Sequence, residues 1–180
     1  MLRLIRYGLV AGLLLVGVAQ ASETNDPYTH FFQENFGNFQ EELETAASEG
    51  KKGVVLFFEM DECPFCHRMK KTVLIRSNVQ AYFRKHFKLF NVDIEGDIEV
   101  TDFKGEETTQ KEFSTKQFRV RATPVFAFFN LEGKLIQRFT GATNDAQEFM
   151  WLGEFVADGH YKTTRFSRFK RAKRKALAAR

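Results

Sequence analysis

The stretch Gly53-Val54-Val55-Leu56-Phe57-Phe58-Glu59-Met60-Asp61-Glu62-Cys63-Pro64-Phe65-Cys66-His67-Arg68-Met69-Lys70 decides how the chain is read. Its first part is a short, wholly apolar run of β-branched and aromatic residues, the pattern of a strand buried on both faces. Helical sequence resumes around the cysteines. Two thiols three residues apart at the start of a helix can form a reversible, small-ring disulfide. The helix N-terminus offers unsatisfied N–H groups and positive potential, which stabilise a thiolate on the first cysteine. Cys63, at the exposed end, is the expected nucleophile. Cys66, a turn further in, is the expected resolving thiol that releases a mixed disulfide. Pro64 suits the first helical turn because it has no N–H to leave unbonded. His67 brings partial or full positive charge nearby and is expected to favour the thiolate further.

Three other readings compete at this motif. A purely structural disulfide is disfavoured, because so small a loop constrains the unfolded chain little. A zinc site would need further ligands from His30, His86, His160 or carboxylates. Cys63-Pro64-Phe65-Cys66-His67 is also a literal C-x-x-C-H, the attachment pattern of a c-type haem, with His67 as one axial ligand and Met69 or Met150 as the other. Haem attachment explains neither the buried strand upstream nor the second motif described next. Dithiol chemistry itself calls for no cofactor and no metal.

That second motif is Thr123-Pro124, directly before the apolar run Val125-Phe126-Ala127-Phe128-Phe129. A proline leading into a strand fits a first-residue position, and it fits a cis peptide bond beside a reactive site. Around these motifs the remaining segments alternate. Tyr28 to Glu49 has apolar groups at Phe32, Phe36, Phe39, Leu43, Ala46 and Ala47, spacings that predict one amphipathic helix ended by Gly50. Ser77 or Asn78 is expected to cap a helix running to His86. Lys88 to Asp93 reads as a second strand, and Thr108 to Phe118 as a helix after a polar stretch. Val125–Phe129 and Lys134–Phe139 read as a hairpin turning through Asn130-Leu131-Glu132-Gly133. Asn144 is expected to cap a last helix reaching about Ala157. The order is α/β, one sheet with helices on both faces.

The two ends differ from this middle. Arg3 and Arg6 precede an almost continuous apolar run, Tyr7 to Ala19, and Ala19-Gln20-Ala21 offers the small residues of a cleavage site. This is the layout of a secretory signal peptide over residues 1–21, which places the mature protein in a periplasm. The run is too short to span a bilayer. The other end, 162–180, carries nine Lys and Arg and no acid, whereas 22–161 carries 16 basic and 23 acidic groups. The formal charge of +4 over 180 residues therefore averages an acidic domain and a basic tail. The tail is expected to be a solvated, frayed terminus, its alternative role being contact with a membrane surface or an acidic partner through its cations, Phe166 and Phe169. An exported chain has no nucleic acid to meet. Two cysteines cannot make a disulfide scaffold, so they are the entire thiol inventory.

Taken together, the strand–CxxC–helix unit, the Thr123-Pro124 before the third strand, the Asn130–Gly133 hairpin and the Phe139-Thr140-Gly141 ending resemble the thioredoxin superfamily over roughly Gly53 to Ala157. The Glu49-Gly50-Lys51 helix ending and Val120-Arg121-Ala122-Thr123-Pro124 are similar to exported thioredoxin-related proteins, including periplasmic thioredoxins of sulfur-oxidation gene clusters. The resemblance implies a thioredoxin fold, a central mixed sheet flanked by helices, here with an extra N-terminal helix and the basic tail. It implies a nucleophilic Cys63, a resolving Cys66 and a cis Pro124 that, with Thr123, helps hold the substrate chain. Phe65, between the thiols, is expected near the substrate face. The expected partners are protein thiols and disulfides, with a membrane thiol as electron donor. Two departures stand out. The motif is Glu62-Cys63-Pro64-Phe65-Cys66, and Phe57 stands where many thioredoxins carry a buried acid. Glu59 is the candidate to move a proton for Cys66 in its place; the alternative is an ordinary solvated carboxylate.

Overall fold

The computed structural model describes residues 25–179, so the expected signal peptide lies outside the described residues. A short helix α1 (Pro27–His30) precedes α2 (Phe39–Ser48). Strand β1 (Val54–Glu59) leads into α3 (Pro64–Met69), which continues through a π-helical turn, Lys70–Leu74. Helix α4 (Ser77–His86) and strand β2 (Lys88–Asp93) follow. A small hairpin, β3 (Glu99–Thr101) and β4 (Glu107–Thr109), runs into α5 (Gln110–Glu112) and a π turn, Phe113–Gln117. Strands β5 (Val125–Phe129) and β6 (Leu135–Thr140) precede α6 (Ala146–Ala157) and α7 (Phe166–Ala178). Among the described residues no helix is long and apolar enough to cross a membrane.

The main sheet has the order β2-β1-β5-β6. β1 pairs with β2 in parallel, from Val54–Lys88 to Glu59–Asp93, and with β5 antiparallel, from Val54–Phe129 to Phe58–Val125. All six residues of β1 are buried, as its unbroken apolar run requires when both faces are covered. Alternation then sorts its side chains. Val55 and Phe57 join the face covered by α3, α4 and α6, whereas Val54, Leu56 and Phe58 join the face covered by α2 and Phe113. The phenylalanines fill both layers. Phe83 stacks on Phe149 at 4.4 Å, and Phe149 and Phe57 each meet Phe126 at 4.7 Å. On the other face Phe39 stacks on Phe113 at 5.0 Å. Each such pair adds about 1 kcal/mol beyond its buried area.

The helix expected over Tyr28–Glu49 is two helices. Phe31 and Phe32 turn into the core, Phe32 stacking on Phe57, and the chain then bends through Asn35-Phe36-Gly37. Asn35 Oδ1 accepts the Gly37 N–H at 2.8 Å, Gly37 has φ +82°, and Asn38 caps α2 by accepting from Glu41 N. Phe36, assigned by its spacing to a buried stripe, is fully exposed. The β3–β4 hairpin lies in the stretch read as polar loop and helix, because its strands are too short to show a period. The caps also shift by one residue. Asp145, not Asn144, caps α6, and α4 begins at Ser77 without a side-chain cap.

The outer edge of β2 is covered at Leu89 and Asp93 by Gln33 and Gln110. Gln33 donates its backbone N–H to Leu89 O and accepts the Leu89 N–H on its Oε1, and Gln110 Oε1 accepts the Asp93 N–H. The C-terminal segment is not frayed. Phe166 is buried between Phe139 and Phe155, and Phe169 lies on Phe155 and His160. Glu148 of α6, itself buried, takes Lys170 Nζ at 2.6 Å and Arg174 Nη2 at 3.4 Å. Two aromatics three residues apart make an apolar stripe one helical turn long, enough to seat the tail as a helix.

Candidate active site

β1 ends at Glu59, and the chain needs only Met60 to Glu62 to reach Cys63. Cys63 is the N-cap of α3, in extended backbone, and Pro64 fills the first helical position. The cap is a thiol-derived sulfur, since the Cys66 N–H donates to Cys63 Sγ at 3.1 Å. Cys63 and Cys66 are joined in a disulfide with their Cα atoms 5.2 Å apart. When that bond is reduced, a thiolate on Cys63 sits where the first-turn N–H groups and the helix dipole both point. Cys63 was expected at the exposed end, but both cysteines are buried, Cys63 4% exposed and Cys66 1%. Both sulfurs belong to the apolar layer beneath α3.

The Thr123–Pro124 peptide is cis. Pro124 lies one residue before the Val125–Phe58 pair, so it flanks the end of β1 from which the cysteine loop emerges. Its carbonyl accepts the Gly141 N–H at 2.8 Å, tying it to the end of β6. Phe65 is 58% exposed, as expected of the residue between the thiols. Arg68 lies over its ring at 5.6 Å and donates to Thr143 O at 3.3 Å, linking α3 to the loop before α6. His67 is exposed, and its Nε2 is 3.1 Å from Asp61 O. That contact makes it a tie between α3 and the loop preceding Cys63.

Glu59 is not a solvated carboxylate. It is buried, and its Oε2 meets Lys70 Nζ at 2.6 Å. Oε1 accepts from Tyr28 OH and from Asn91 Nδ2, each at 3.3 Å, and Lys70 also donates to Tyr28 OH and lies over the Tyr28 ring. Burial pulls the Lys70 ammonium toward neutrality, but its bonds to Glu59 and Tyr28 outweigh that and hold its pKa above the ordinary lysine value. Lys70 therefore carries its positive charge at neutral pH. By strand alternation Glu59 shares the face of Val55 and Phe57, the face on which the cysteines lie. Lys70 follows Cys66 by four residues, one turn along the same side of the helix. Phe57, by contrast, is packed among Phe32 and Phe126 and can carry no proton.

Lys70, Tyr28, Asn91 and Arg68 were not singled out by the sequence. Lys70 had a legible signal, its i+4 spacing from Cys66. Tyr28 and Asn91 come from distant segments and had none. Two of the axial ligands offered for haem are engaged within the fold. Met69 is fully buried in the core and accepts from Thr143 Oγ1, and the His67 ring nitrogen faces the Asp61 carbonyl. Among the described residues no three His, Cys, Asp or Glu side chains group as a metal site requires.

The sequence profile of a family described as a thioredoxin-like domain matches residues 39–157. Among solved structures, the chain is similar to a thioredoxin-fold protein from Helicobacter pylori at 22% identity and TM-score 0.60, covering 84% of this chain and 94% of that one. It is similar to a protein provisionally named a disulphide-isomerase from Bacteroides thetaiotaomicron at 27% identity and TM-score 0.54, covering 69% and 90%. It is also similar to DsbH oxidoreductase at 19% identity and TM-score 0.54, covering 71% and 85%. No match was found among curated proteins.

Proposed function

We propose, from the premise that this chain belongs to the thioredoxin-like domain family, that it is a periplasmic thiol–disulfide oxidoreductase working as a reductant of protein disulfides. The observation that carries the reading is the Cys63–Cys66 disulfide at the N-terminus of α3, next to the cis Thr123–Pro124 peptide. In the reduced protein the Cys63 thiolate attacks one sulfur of a substrate disulfide. A new S–S bond forms, the substrate bond breaks, and one substrate thiolate leaves. The Cys66 thiolate then attacks Cys63 Sγ, which releases the second substrate thiolate and restores the internal disulfide. The substrate gains two electrons and two protons, and the Cys63 and Cys66 thiols lose the same two electrons and two protons. A membrane dithiol donor would return them.

Further roles follow from position. Thr123 and Pro124 would hold the substrate backbone, and Phe65 would offer it an aromatic face held by Arg68. The Glu59–Lys70 pair would tune the Cys66 thiol: Lys70⁺ one turn away favours its thiolate, and Glu59 can take its proton through water. His67 would tune Cys63 by position and charge. The reducing direction would follow if the resemblance read in Glu49-Gly50-Lys51 and Val120–Pro124, to periplasmic thioredoxins of sulfur-oxidation gene clusters, carries over.

The test is to express Cys66→Ser with its export signal and resolve the products on non-reducing gels. Mixed disulfides with partner proteins, dispersed by dithiothreitol and lost in the Cys63→Ser/Cys66→Ser double variant, support the reading. Finding none while Cys63 still reacts with a thiol reagent overturns it. The reduction potential of the Cys63–Cys66 couple then fixes the direction, a reductant lying near or below about −270 mV and an oxidant far above it.

A further inference from the structure

Helix α7 divides its cations between two faces. On the side toward α6, Lys170 and Arg174 meet Glu148, and Lys173 meets Glu154 at 2.6 Å. On the other side, Arg165, Arg168 and Arg171, with Lys162 from the preceding turn, line an open cleft of about 720 Å³. All four are exposed, and no carboxylate lines the cleft. None of the four has an acidic partner within ion-pair distance among the described residues. Thr164 and Ser167 also line it. The Thr164 hydroxyl is shielded from solvent and has no hydrogen-bond partner.

This arrangement runs against helix electrostatics. The first turn of α7 contains no acid, and the positive end of its dipole coincides with Arg165 and Arg168. Cations crowded at that end repel the dipole and each other. The chain therefore holds a local concentration of positive charge that nothing in the fold offsets. An external anion would relieve it. Three guanidinium forks and two hydroxyls are matched to phosphate oxygens.

We propose that this face of α7 docks on an anionic phospholipid surface, with lipid phosphates entering the Lys162–Arg171 cleft. The stripe supports a lipid source over a free phosphate. It continues past the cleft to Lys175, ten residues and about 15 Å of helix beyond Arg165, along the exposed side. Tyr161 lines its near end. A row of cations about 15 Å long suits a plane better than a single small ion. The inner face stays anchored to Glu148 and Glu154, so the helix need not leave the domain to bind.

The experiment uses residues 22–180, which contain the whole described fold, in co-sedimentation with vesicles. The probes are phosphatidylglycerol mixed with phosphatidylcholine, and phosphatidylcholine alone. Binding to the mixed vesicles only, weakened by salt, is expected. Each lost cation should cost about fivefold in affinity, so the Arg165→Gln/Arg168→Gln/Arg171→Gln variant should bind about 100-fold more weakly. Its far-UV melting curve checks that it folds, and the corresponding triple Lys variant should keep most of the binding. Equal binding by parent and Gln variant, or equal binding to both vesicle types, overturns the proposal. Displacement by millimolar inorganic phosphate at constant ionic strength overturns it in favour of a free phosphate ligand. Retention on polyglutamate with no vesicle binding overturns it in favour of an acidic protein.

Discussion

Replacing Lys70 by Met should destabilise the protein far more than replacing both members of its ion pair. Glu59 and Lys70 are each about nine-tenths buried at the side chain, 8% and 13% exposed, with charged atoms 2.6 Å apart. Removing one partner of a buried pair typically costs about 3–5 kcal/mol, because the other charge is left in a poor solvent. Two features place this site at the lower end. Tyr28 and Asn91 still donate to Glu59, and both border a cleft open to water. A cost of about 2–3 kcal/mol follows for Lys70→Met. With a urea m-value of about 2 kcal/mol/M, the unfolding midpoint should fall by about 1–1.5 M. Glu59→Leu/Lys70→Met removes both charges and should lie within about 1 kcal/mol of the parent, so the double variant should be more stable than Lys70→Met by about 1–2 kcal/mol. The pH dependence supplies a second check. Because the folded pKa of Lys70 is raised, its contribution is complete below the ordinary value of 10.5 and is lost as pH climbs through the raised value. Parent and Lys70→Met should therefore converge only in strong alkali. If the single and double variants lose the same stability near pH 7, the two charges are not coupled and the account of this cluster is wrong.

Two further outcomes concern the tail and the helix behind it. Truncation before Arg165 removes the packing of Phe166 and Phe169 and strips Glu148 of Lys170 and Arg174, leaving only the Asn144 amide at 2.6 Å; thermal unfolding should drop by several degrees, and Glu148→Leu in the truncated chain should recover the part due to the uncovered carboxylate. His86, partly buried and near Lys85 and the more distant Lys52 and Lys51, has its pKa lowered chiefly by burial, with Asp158 opposing. The unfolded chain then binds its proton more readily, so stability should hold above about pH 6.5 and fall as pH drops below it; urea midpoints at pH 7.5 and 5.5 should show this slope, and His86→Gln should flatten it.

Much of this was legible from local pattern. The all-apolar run of β1, the thiol spacing and the Thr123-Pro124 motif act through nearest neighbours, and each sits where the sequence reading put it. The hairpin was readable too, because Gly133 at φ +69° and the Asn130 side chain close the turn within five residues. What failed was settled by distance. The Tyr28–Glu49 periodicity is genuine for Phe39, Leu43 and Ala46, yet Phe32 is drawn onto Phe57 and Phe31 onto Phe83 and Phe149, and the chain leaves the helix between His30 and Phe39 to let them reach the core. The tail looked solvated because its charge outweighs its two aromatics, and only the fold reveals Glu148 beneath it. Glu59 looked ordinary for the same reason, its partners being 11, 31 and 32 residues away.

The closure of β2 by Gln33 and Gln110 governs how copies of this protein can and cannot assemble. A strand arriving at that edge finds the Leu89 and Asp93 amides already bonded to glutamine side chains, so templated growth of the sheet is blocked there. Gain-of-association mutants should then arise at Gln33 or Gln110, where a shortened side chain would uncover the backbone, and the β6 side is the route left for sheet-to-sheet polymerisation.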